Sequence, residues 1–160
     1  MKKLIGLSLA LILALSLVAC GGSDSGTTDE TITLDTAAIS SSIDGVGLFV
    51  DTLEPISEDR ITTVTGIDIS GCKSAEYHLG AGATAEEWGV FECNSVDDAK
   101  TLVTALEKHC DELLSTYESY APDAVPRINN AVIERAGQYV VFVTAEKYDD
   151  AKTLVEGLMK

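Results

Sequence analysis

The chain has 160 residues and a formal net charge of −15, with 26 acidic against 11 basic side chains. A surface of that sign repels phosphate, which excludes nucleic acid as a partner and a polybasic contact with anionic lipid as a second membrane anchor. The length suits a single domain, large enough to bury a core without metal or disulfide.

Lys2 and Lys3 precede an apolar run from Leu4 to Val18, interrupted only by Gly6, Ser8 and Ser16. As a helix this run reaches about 22 Å, short of the roughly 30 Å hydrocarbon core of a bilayer. It reads as the apolar region of a signal peptide, not as a spanning helix. Leu17-Val18-Ala19-Cys20 then resembles the bacterial lipobox. That resemblance implies removal of residues 1–19, a diacylglyceryl group on the Cys20 thiol, and Cys20 as the first mature residue. Each buried methylene contributes about 0.8 kcal/mol, so two acyl chains anchor stably where one is marginal. The expected address is the cell membrane, lipid-anchored and facing the extracytoplasmic side. Loss of residues 1–19 takes two lysines and no acid, moving the net charge to −17.

Residues 20–30 (CGGSDSGTTDE) are the lipidated Cys and a polar, Gly-Ser-Thr tether without apolar periodicity. A single α+β domain is expected over residues 31–160. Asp35 can cap a helix carrying Ile39, Ile43 and Val46, weakened at its end by Gly45 and Gly47. Ser57, with Glu58 and Asp59 in the next turn, starts a short helix through Val64 that Gly66 stops. Ala75 to Leu79 and Trp88 to Cys93 read as a hairpin around Gly80-Ala81-Gly82-Ala83. Thr84 and Glu87 match a capping box, which predicts a helical turn inside that connection. The clearest helix runs from Val96 to Tyr117, capped by Ser95, with Ala99, Leu102, Val103, Leu106, Cys110, Leu113 and Leu114 on one stripe. Pro122 and Pro126 close it. A second hairpin, Ala131 to Arg135 and Gln138 to Ala145, turns at Ala136-Gly137. A last helix spans Asp149 to Met159.

DDAKTLV occurs twice, at 97–103 and 149–155, each time after a strand holding Phe91 or Phe142. The predicted fold is therefore α+β. Two ββα units form a four-stranded antiparallel sheet with helices on one face, preceded by one or two N-terminal helices.

GATAEEWGVFECNSVDDA, YESYAPDAVPRINNAVI and GQYVVFVTAEKYDDA, spread over residues 35–158, resemble the domain-of-unknown-function family numbered 4358. The most specific part is Gly82 to Glu87 followed by an apolar strand. The resemblance implies small lipoproteins of Gram-positive, mostly clostridial, bacteria, and it implies no activity.

Chemistry-bearing sets are sparse. His109 adjoins Cys110, but helix neighbours diverge by about 100°, so no Cys–His catalytic pair is expected. Cys72, His78, Cys93 and Cys110 are spaced too widely for structural zinc, and no metal or cofactor is expected. With Cys20 lipidated, three thiols remain, and an oxidising exterior permits a Cys72–Cys93 bridge. Asp97-Asp98 and Asp149-Asp150 suit helix starts rather than a calcium loop. The candidate binding residues are Thr84, Glu86, Glu87 and Trp88. The expected role is a lipid-anchored extracytoplasmic binding or interaction module, not an enzyme. Its partner would be another protein or a cell-envelope component, met through this segment or through an open sheet face. The alternatives are an envelope enzyme with an unfamiliar site, or a structural or assembly protein.

Overall fold

The computed structural model describes residues 29–160; the predicted signal peptide, Cys20 and nearly all of the tether lie outside them. Five helices alternate with a five-stranded antiparallel sheet. In chain order the elements are α1 (Thr36–Gly45), β1 (Glu54–Ile56), α2 (Glu58–Thr65), β2 (Cys72–Leu79), β3 (Glu87–Cys93), α3 (Val96–Tyr120), α4 (Val125–Asn129), β4 (Val132–Ala136), β5 (Tyr139–Thr144) and α5 (Tyr148–Leu158). The sheet order is β1-β2-β3-β5-β4.

Local chemistry sets the helix ends. The Asp35 carboxylate accepts from the Ala38 amide at 3.1 Å, and the Ser95 hydroxyl accepts from the Asp98 amide at 3.1 Å. Each satisfies one of the orphan donors of a first turn. Gly66 ends α2 in the left-handed region, its N–H donating to Thr62.

Two expectations about the sheet are corrected. A fifth strand, β1, pairs with β2 from Glu54↔Leu79 to Ile56↔Tyr77. It is three residues long and contains Pro55, too short for a period-two pattern. Helices also cover both faces, not one. Ile39 and Ile43 of α1 and Ala151 and Val155 of α5 pack with Trp88, Val90, Val141 and Val143. Ile61 of α2 and Ala99, Leu102 and Leu106 of α3 pack on the opposite side with Tyr77, Phe91, Val140 and Phe142. An open sheet face is therefore ruled out as the contact surface.

The two hairpin–helix units differ at the strand exit. Val90 lies opposite Val141, and a 51-residue offset carries Phe91 onto Phe142 on the same face. The DDAKTLV segments are 52 residues apart. The extra residue lies in the connection between β5 and α5, and α5 packs on the face opposite to α3.

Gly89 explains the aromatic packing on the α3 side. It lies opposite Tyr77 on one neighbour and Phe142 on the other. A Cβ there would stand 2.7 Å from ring carbons of both Phe91 and Tyr77. Without it the Tyr77 and Phe142 rings stack at 6.3 Å across the bare backbone.

Residues 29–32 are tied to the domain by side-chain contacts. Asp29 pairs with Arg135 at 2.8 Å and with Lys100 at 3.3 Å. The Gln138 amide side chain then exchanges two hydrogen bonds with the Ile32 backbone, at 3.2 and 2.6 Å. Gly137, at φ +56, leaves the room: a Cβ there would lie 2.5 Å from the Glu30 carbonyl.

Candidate functional site

The segment from Gly80 to Glu87 has no helical turn, contrary to the capping-box expectation. Ala85 takes φ 56, which no helix tolerates. The Glu87 carboxylate that would close the capping box is engaged elsewhere, with His109. Asp51 organises the front of the segment, accepting from the Ala81 amide at 2.9 Å and the Thr84 hydroxyl at 3.1 Å. The Ala81 amide is the main reason the Asp51 carboxyl lies below its ordinary range.

Three of the four sequence candidates are interior: Glu86, Glu87 and Trp88 are each 1% exposed. Glu86 accepts from the backbone amides of Val50, Asp51 and Glu146, the closest contacts being 3.0, 2.8 and 2.8 Å. Arg127 of α4 stands 3.8 Å away and also pairs with Glu146. Glu86 thereby ties three separate loops to one point. Thr84 remains half-buried beside it, bonded to Asp51.

Glu87 points to the α3 side and meets Nε2 of His109 at 2.7 Å, both groups buried. Burial is the largest influence on the His109 imidazole and acts to lower its pKa. The Glu87 hydrogen bond, the Glu87 charge and the Thr65 backbone outweigh it, so the imidazole lies above its ordinary value. The Tyr77 hydroxyl faces the same carboxylate without reaching hydrogen-bond geometry, and burial first, then Glu87, raises it well above the phenol range. Cys110, also near Glu87, is pushed up to about 12, chiefly by burial.

Trp88 points the other way, toward α1. The His78 ring stacks on its indole at 4.1 Å and 12°. Nε2 of His78 meets Glu76 at 3.1 Å, and the Ser40 hydroxyl donates to the other Glu76 oxygen at 2.6 Å. These groups, with Ala37, Ser41 and Asp44, line a groove of about 290 Å³ between α1 and β2. Trp88 Nε1 and His78 Nδ1 are buried and have no partner. Both rings line the groove, but these two atoms are closed off from solvent. Glu76 stands between Ser40 and His78 and is hydrogen-bonded to both.

A cavity of about 340 Å³ also runs along β4 from Asn129 to Lys152, but none of the unpartnered buried polar atoms lines it. Sequence reasoning named Trp88 but missed Ser40 and Glu76, and it set His78 among thiols that lie across the sheet. Cys72, Cys93 and Cys110 all belong to the α3 side. Among the described residues no three His, Cys, Asp or Glu side chains gather to hold a metal, and no helix is long and apolar enough to cross a membrane.

The fold and the latch around Glu86 define a three-layer α+β domain with an antiparallel sheet between helices. The profile of the domain of unknown function DUF4358 matches residues 50–145, which run from the loop whose amides donate to Glu86 to just past the end of β5. The chain belongs to that family. No curated protein and no solved structure matches it significantly.

Proposed function

We propose that the chain is a lipid-anchored extracytoplasmic binding module, and that the groove between α1 and β2 is its ligand site. The observation that carries the site is one groove lined by the stacked His78 and Trp88 rings together with Ser40, Asp44 and Glu76. Asp44 and Glu76 at the groove make an anion a poor occupant. A neutral or cationic molecule carrying hydroxyl and amide groups fits, such as an N-acetylated sugar of the cell envelope. The contact proposed from sequence is thus narrowed to Trp88; Thr84, Glu86 and Glu87 do not line the groove.

Trp88 is the only tryptophan, so its fluorescence reports on this groove alone. Titration with N-acetylglucosamine and its short oligomers is expected to give a saturable change that His78→Phe removes. A flat signal across that series rejects the site.

The anchor rests on the Leu17–Cys20 motif and has its own test. Cys20→Ala is expected to abolish incorporation of labelled palmitate and leave the precursor uncleaved or the protein in the soluble fraction. Mature, membrane-bound protein in that variant contradicts the anchor and leaves the groove untouched.

A further inference from the structure

Cys72 opens β2 and Cys93 closes β3, and the strand register sets them directly opposite each other. Neither amide serves the other residue: the Cys72 N–H donates to Ile69 and the Cys93 N–H to Gln138. That marks the close, non-hydrogen-bonded kind of cross-strand pair, with Cα atoms about 4.5 Å apart, inside the range a disulfide spans. The sulfurs are 3.6 Å apart. The two side chains are unequal in access. Cys93 is 2% exposed, whereas Cys72 is half-buried and lines a cavity of about 270 Å³ with Asp68, Ser70, Asn94 and Asp98. The sulfur–sulfur contact, in which either thiol can donate, holds the Cys93 thiol below its ordinary value against the effect of burial. The same contact, then burial, pushes Cys72 up.

We infer that Cys72 and Cys93 are a redox pair that a small-molecule disulfide oxidises to an intramolecular bond. One cysteine sulfur attacks a sulfur of the external disulfide, losing its proton to solvent, and the first thiolate leaves. The other cysteine sulfur then attacks the protein sulfur of the mixed disulfide, loses its proton, and expels the second thiolate. Two electrons pass from the cysteines to the external disulfide, which becomes two thiols. The product staples the start of β2 to the end of β3, next to the first turn of α3.

The test uses the full chain, purified reduced and equilibrated with oxidised glutathione, then alkylated and digested with trypsin. Cleavage after Lys73, Lys100 and Lys108 puts Cys72, Cys93 and Cys110 on separate peptides. A linked pair of peptides holding Cys72 and Cys93, with Cys110 alkylated, is the expected result. The oxidised chain is also expected to melt higher, on the order of 5–10 °C, through the closed loop. Cys72→Ser removes both effects, and Cys93→Ala serves if that variant does not fold. Alkylation of Cys72 and Cys93 to the same extent as Cys110, a stable glutathione adduct, or linkage through Cys110 overturns the inference.

Discussion

Glu86→Ala is expected to lower the unfolding free energy by about 3–5 kcal/mol, because hydrogen bonds to a charged acceptor contribute roughly 1.5–3 kcal/mol each. Three backbone amides, of Val50, Asp51 and Glu146, converge on that one buried carboxylate. Truncation strands all three and leaves Arg127 without the carboxylate beside its buried Nε. Glu86→Gln keeps one acceptor oxygen but turns an amide NH₂ toward backbone donors, so it is expected to recover only part of the loss. Urea unfolding followed through Trp88 fluorescence measures the change, with an unaltered denaturant slope if the effect is on stability alone. The local consequence is separately visible. Amide exchange at Val50 and Asp51 should accelerate well before the core strands open. A loss below about 1 kcal/mol, typical of surface positions, together with unchanged exchange at those amides, contradicts the latch.

The contrast between Glu86 and its neighbours shows what a sequence exposes. Helices α1, α2 and α3 were legible because each rests on local chemistry: Asp35, Gly66 and Ser95 are caps whose partners lie within a few residues. Helix α4 was not, since Pro126 in its first turn reads only as a stop to the helix before it. The strands β3 and β5 were legible from β-branched and aromatic density. The second layer of helices was legible too, and went unread. Every residue from Tyr139 to Thr144 is buried, and an apolar run without alternation marks a strand covered on both faces. The roles of the acids were not legible. Thr84 to Glu87 fits a capping box in sequence, yet the acceptors and donors that claim these carboxylates come from 22 to 60 residues away. The groove was hidden for the same reason, since Ser40 and Glu76 meet across 36 residues. His109 is intermediate. It follows Leu102 and Leu106 at helical steps and so falls on the buried face of α3, but nothing local announces Glu87 as its partner.

The pair formed by Glu87 and His109 gives the second large effect. His109→Gln is expected to cost about 3–5 kcal/mol near pH 6, because removing one member of a buried ion pair leaves the other charge uncompensated. Glu87→Gln is expected to cost a similar amount, limited by release of the imidazole proton. The double variant, in which two amides face each other, is expected to be more stable than the sum of the single losses predicts. The coupling from that cycle is the worth of the contact. The pH dependence has a definite sign. The His109 pKa is raised above its unfolded value of 6.5, so that the folded state binds the proton more tightly. The stabilisation is complete below that unfolded value and is lost as pH rises through the folded one. Within that window stability should fall by up to about 1.4 kcal/mol per pH unit, while His109→Gln removes this slope. Tyr77 and Cys110 face the same carboxylate but are raised well beyond this range, so they keep their protons throughout it. Unfolding curves at closely spaced pH values decide the matter. A parent protein whose stability rises across that window, or a variant that keeps the parent's slope, shows that His109 does not carry the charge assigned to it. A flat cycle with no coupling shows that the two groups merely share the core.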